Sequence, residues 1–165
     1  MVGLSAGIHP WHSEHYIRSV RGPVNDPLTM LMLDAGVPNG PDVMEPETQV
    51  VFSFPVSAPE GAVTRDKVSA LEHLELWRVY RNNWTDHNPS VTINVREDEW
   101  LAVGNWVYDN WGDVGGISFL PFDEHVYAQA PYQPVSAEQV VSLRESMPKV
   151  RWADIVFYES EDGTT

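Results

Sequence analysis

Two periods of apolar and polar residues follow one another along this chain, and the switches between them mark its elements. From His15 to Val20 the period is two, with Tyr16, Arg18 and Val20 on one face and Ile17 and Ser19 on the other, which predicts a short strand. Asp26-Pro27 opens a helix, Asp as N-cap and Pro at the first helical position, with Leu28, Leu31 and Met32 as its apolar stripe and Gly36 as its stop. A proline- and acid-rich loop spans Val37 to Glu47, a strand Val50 to Val56, and a turn Pro59 to Ala62. The spacing of Val68, Leu71, Leu74, Trp77, Tyr80 and Trp84 predicts a long helix over about Thr64 to Trp84. Ser90 to Val95 returns to period two, a helix is expected from about Glu97 to Trp111, and Ile117 to Leu120 is a short strand after Gly115-Gly116. Ser136 with Gln139 forms a capping box for a helix whose core face is Val140, Leu143 and Met147. Ala153 to Tyr158 is a candidate last strand, and the acidic end, residues 159–165, is expected to be a mobile tail behind a domain covering residues 1–158.

Strands that alternate with helices point to an α/β fold with crossover connections. The strand at Ser90–Val95 adds a detail. Val91, Ile93 and Val95 alternate with Ser90, Thr92 and Asn94, whereas a strand buried on both faces of a parallel sheet reads as continuous Val, Ile and Leu. A barrel strand with helices outside and polar groups lining a substrate cavity inside would show this alternation, and so would an edge strand with one solvated face. Periodicity leaves both readings open.

Composition narrows the function classes. An apolar content of 42% over 165 residues suffices for a hydrophobic core. No apolar run approaches the roughly 20 residues that span a bilayer, and Met1 opens no secretory pattern, so a cytoplasmic protein with no membrane partner is expected. The formal net charge of −14, with Lys and Arg scattered from Arg18 to Arg151, argues against nucleic acid as a partner. There is no cysteine, which excludes disulfides, thiolate metal sites and thiol chemistry within these residues.

Several side chains could carry chemistry. His9, His12 and His15 recur every third residue and could hold zinc, but there is no cysteine beside them and Pro10 breaks a helix that would align them, so no metal is expected. Asp86-His87-Asn88 suggests acid–base work, but a helix end with its turn is the preferred reading. Asp123, Glu124 and His125 read as turn residues, and Trp77, Trp100, Trp106 and Trp111 as helix core faces. No nucleophile elbow and no zinc signature is present, and no catalytic residue is assigned.

One set of segments carries a resemblance. Leu4-Ser5-Ala6-Gly7-Ile8-His9-Pro10, Val51-Phe52-Ser53-Phe54-Pro55, Ala58-Pro59-Glu60-Gly61-Ala62, Glu75-Leu76-Trp77, Trp84 to Thr92, Glu97-Asp98-Glu99-Trp100, Gly116 to Pro121 and Tyr127 to Tyr132 occur in this order. Together they resemble the adenosylcobalamin-dependent (class II) ribonucleotide reductases. The resemblance implies the C-terminal portion of a ten-stranded α/β barrel in which ribonucleotides become deoxyribonucleotides, the precursors of DNA. It also implies adenosylcobalamin as cofactor and an external thiol reductant. It places Ser5, Ala6, Gly7, Ile8, His9 and Pro10 at the substrate, with Gly7 permitting close backbone approach and His9 either hydrogen-bonding the substrate or fixing the loop. Ser90, Thr92 and Asn94 would line the cavity.

The chain departs from the family pattern in its sulfur. The family's thiyl and dithiol cysteines, its phosphate-holding loop and its C-terminal cysteine pair have no counterpart here, and Thr85 stands where many relatives have cysteine. Two readings follow. One is a split component that works with an upstream, cysteine-bearing fragment on a ribonucleotide substrate. The other is a non-catalytic remnant that binds a nucleotide or a protein.

Overall fold

A computed structural model describes residues 8–122 and 128–159. In chain order the elements are β1 (His15–Pro23), α1 (Pro27–Asp34), β2 (Asn39–Pro41), β3 (Gln49–Ser57), α2 (Ala70–Asn83), β4 (Val91–Val95), α3 (Trp100–Asp109), β5 (Ile117–Pro121), β6 (Tyr132–Pro134) and α4 (Ala137–Ser146). Short 3-10 turns at Glu97–Glu99 and Trp152–Phe157 complete the chain. The chain is α/β, and its described residues divide into two compact units, 15–57 with 128–159, and 8–14 with 58–122. Ser5, Ala6, Gly7, Asp123, Glu124, His125 and the end of the acidic tail lie outside the described residues.

The first unit is an antiparallel sheet in the order β2-β3-β1-β6. Its spine is the nine-residue ladder of β1 on β3, running from His15 opposite Ser57 to Pro23 opposite Gln49. Proline cannot donate to a ladder, and its placement follows from that. Pro41 and Pro134 sit on the short outer strands, while Pro55 of β3 lies beyond the stretch paired with β2. Asp26 caps α1 by accepting from the Thr29 N–H at 3.0 Å, and Gly36 ends it with a φ of +78°, a conformation that only glycine adopts freely. Met32, Val37 and Phe52 form the buried centre, against which Met147 and Val150 pack.

The second unit is a helix, a strand, a crossover helix and a parallel strand. Ser69 and Glu72 form a reciprocal capping box at the start of α2. Its buried residues Ala70, Leu74 and Trp77 meet Val91, Ile93 and Val95 of β4 and Val103 of α3. Parallel strands require a crossover, and α3 supplies it between β4 and β5, in register from Val91 opposite Ile117 to Val95 opposite Pro121. The wholly buried Trp77 donates its indole N–H to the Pro89 carbonyl at 2.9 Å, so its polar atom is satisfied inside the core.

Four expectations are corrected. The parallel, crossover pattern is confined to β4 and β5, because β1 and β3 pair antiparallel across α1, and β2 and β3 follow one another without a helix. α2 begins at Ala70 rather than Thr64: the backbone of residues 64–68 bonds elsewhere, with the Arg65 N–H on the Trp11 carbonyl at 2.8 Å and the Asp66 carbonyl on Arg96 at 2.8 Å. Residues 152–157 are a 3-10 turn rather than a strand, closed locally by the Asp154 N–H on the Arg151 carbonyl. Of the tryptophans assigned to core faces, Trp100 is 41% and Trp111 73% exposed, and Trp84, placed on the apolar stripe of α2, is 83% exposed.

Candidate functional site

Residues 8–14 form a strap across the second unit, and nearly every anchor is polar. The Trp11 N–H donates to the Val63 carbonyl at 2.9 Å, the Ala58 N–H reaches the Glu14 carbonyl at 2.9 Å, and Lys67 Nζ meets Glu14 Oε1 at 2.6 Å. At the front of the strap two histidines act together. His73, on the buried face of α2, donates from Nε2 to the Ile8 carbonyl at 2.8 Å, while His9 Nε2 accepts the Thr92 N–H of β4 at 3.2 Å. Their rings meet edge to face at 6.0 Å. A backbone donor of β4 is thus spent on a side chain rather than on a further strand.

This network sets the proton positions. Accepting at Nε2 leaves the neutral His9 ring with its proton on Nδ1, so it offers a ligand a donor there. Donation to Ile8 leaves the proton of neutral His73 on Nε2. Desolvation lowers the pKa of both rings from the ordinary histidine value, and for His73 the neighbouring His9 adds to the effect while the Ile8 carbonyl opposes it. Burial, aided by the Arg65 charge, pushes His12 down to about 4. With values below the ordinary 6.5, all three rings are predominantly neutral at pH 7.

The sequence-selected residues are partly brought together. Ile8, His9 and Pro10 lie on the strap, and Thr92 joins them through His9. Thr92 and Asn94 are half-buried on β4 between the buried Val91, Ile93 and Val95, whereas Ser90 precedes the strand and is exposed. Asp86 and His87 are exposed. Asn88 instead pins a turn, donating to the Gly116 carbonyl at 2.9 Å, and a side chain at Gly115 would run into it. Among the described residues no cluster of three or more His, Cys, Asp or Glu could hold a metal ion, and no helix is long and apolar enough to cross a membrane.

Two side chains that shape this region escaped the sequence reading. His73 lies three residues after Ala70 and four before Trp77, so a histidine on the apolar stripe of the best-defined helix was the available signal. Arg96 follows β4 and takes the carbonyls of Val68 and Asp66, at 3.3 and 2.8 Å. It stands with Arg65 about the Phe122 ring, 4.9 and 5.2 Å from its centre. These two cations gather at the carboxyl ends of the parallel strands, where open α/β sheets bind ligands.

No family model matches the chain. It is 28% identical over 153 residues to an adenosylcobalamin-dependent ribonucleoside-triphosphate reductase of Euglena gracilis, covering 92% of this chain and 21% of that protein. Against the enzyme of the same name from Lactobacillus gasseri the identity is 27% over 143 residues, covering 84% and 19%. A crystal structure of a B12-dependent (class II) ribonucleotide reductase shares the fold, with a TM-score of 0.76 and 20% identity over 93% of this chain and 22% of that one. The chain spans about a fifth of the length of these relatives. Over 84–92% of its length, this chain is homologous to one segment of the adenosylcobalamin-dependent, class II ribonucleotide reductases.

Proposed function

We propose that this chain supplies the C-terminal strands and helices of a ten-stranded α/β reductase barrel, with residues 1–158 in the barrel and 159–165 beyond it. It would act with a cysteine-bearing polypeptide to convert ribonucleoside triphosphates to deoxynucleotides. The carrying observation is the match, 28% identical over 153 residues, to an enzyme named for that reaction. On this reading Ser5, Ala6, Gly7, Ile8, His9 and Pro10 contact the substrate, His9 through its Nδ1–H. The half-buried Thr92 and Asn94, with Ser90, face the cavity. Arg65 and Arg96 supply positive charge at the strand ends.

The donor set of this chain does not fit the receiving end of adenosylcobalamin chemistry. The family pattern needs a sulfur to take the radical and two more to reduce the ribose, and these 165 residues contain no cysteine. No radical step is therefore assigned to residues of this chain, and the thiols must come from other polypeptide. The test mixes the chain with the cysteine-bearing part of such a reductase, adenosylcobalamin, a dithiol and a radiolabelled ribonucleoside triphosphate. Deoxynucleotide formed by the mixture and by neither part alone is the expected result. A folded, associated pair without turnover would instead favour the non-catalytic, ligand-binding reading, and turnover by this chain alone would overturn the role given to the missing sulfur.

A further inference from the structure

Helix α3 carries three features that local physics disfavours, all on or beside its outer face. Its inner side is accounted for, since Val103 is buried and Trp106 and Val107 pack on the core. On the opposite side stand Leu101, Gly104 and Tyr108, spaced three and four apart, with Trp111 in the turn beyond. Leu101 is 85%, Tyr108 82% and Trp111 73% exposed. Gly104 is in mid-helix, where glycine is among the least favourable residues, yet a Cβ there would meet nothing within 4 Å, so the packing of this chain gives it no reason to be glycine. Asp109 is the last helical residue, with Asp113 four further on, and both are exposed; no base lies in the last turn, where the helix dipole favours a cation, and the nearby Arg78 of α2 is already engaged by Glu75 and by the Asn110 side chain at 2.9 Å. Glu97 and Asp98 stand exposed at the other end, and no Lys or Arg occurs from Glu97 to Leu143.

We infer that the outer face of α3 is a docking surface for a basic amphipathic helix from outside these 165 residues. Its apolar side would cross α3 at Gly104, and its Lys or Arg side chains would reach the acids at both ends. Each disfavoured feature then has one explanation. Glycine permits close helix approach, Leu101, Tyr108 and Trp111 flank the crossing, and the carboxylates find their counter-charges. A second copy of this chain fits poorly, because two chains of formal charge −14 repel and an α3 pair would set acid against acid. This docking holds whatever reaction the chain serves.

The probe is a synthetic amphipathic helical peptide with an Ala/Leu face and Lys flanks, fluorescently labelled and titrated with the full chain by anisotropy. A peptide with the same apolar face and Glu flanks is the control. The Lys peptide should bind and the Glu peptide should not. Leu101→Glu and Gly104→Leu should each weaken binding about tenfold, the size of a lost interface anchor. Gly104→Ala should raise the melting temperature through helix propensity while weakening binding. Leu101→Glu is the decisive variant, because attraction by charge alone would strengthen in it. Circular dichroism checks that each variant is folded, and the high exposure of Leu101 makes that the expected result. No binding of the Lys peptide, equal binding by Leu101→Glu, or a chain dimer that Leu101→Glu dissociates would each overturn the assignment.

Discussion

Replacing His73 by alanine removes the donor that holds the Ile8 carbonyl and empties a ring site that is 3% exposed. A carbonyl left without its partner in the interior costs about 1–3 kcal/mol. The lost packing of a buried ring adds roughly 1–2 kcal/mol. The strap is also held by the Trp11 and Glu14 bonds, so the loss should fall first on its front, where His9 takes the Thr92 N–H. If about 2 kcal/mol of the local opening energy disappears, exchange of the Thr92 amide should quicken roughly 30-fold. Hydrogen exchange read by NMR at Thr92, with a urea unfolding curve for global stability, measures both parts. His73→Gln, which can still donate to Ile8, should restore much of the protection. Wild-type exchange at Thr92 in His73→Ala would refute the two-histidine latch, even if global stability fell.

Acid should loosen the second unit before carboxylates titrate. His9, His12 and His73 have folded pKa values below the ordinary 6.5, so their contribution is complete above pH 6.5 and is lost as pH falls towards the folded values. For His12, with a folded value of about 4, the full shift would correspond to about 3 kcal/mol and partial exposure screens it to about 1–2 kcal/mol, visible as a falling urea midpoint between pH 6.5 and 4.5 that His12→Asn makes shallower. Asp42 is 3% exposed, pairs with Arg21 and accepts the Met44 and Glu45 N–H groups at 2.7 and 3.0 Å, so Asp42→Ala should lower stability by about 2–3 kcal/mol in a urea titration. Gly115→Ala and Asn88→Ala should each destabilise by about 1–2 kcal/mol, and the double variant should lose less than their sum, because Asn88 is the group with which a side chain at Gly115 collides.

What was legible in the sequence is what neighbouring residues decide among themselves. Asp26-Pro27 and Gly36 bracket α1, Ser136 with Gln139 caps α4, and the alternation of Val91, Ile93 and Val95 marks β4, because caps and periods act within one or two turns of chain. The capping box of Ser69 and Glu72 was equally local and marked the true start of α2, but the longer apolar period from Val68 masked it. Partners distant in sequence were not legible. The antiparallel pairing of β1 with β3 depends on which strand the chain meets after α1, and residues 152–157 became a 3-10 turn rather than the expected strand. Ile8–Pro10 and Thr92 could be singled out separately. That His9 reaches Thr92 across 83 residues, and that His73 turns inward to hold Ile8, was decided only when α2, β4 and the strap closed on one core and every buried donor and acceptor needed a partner.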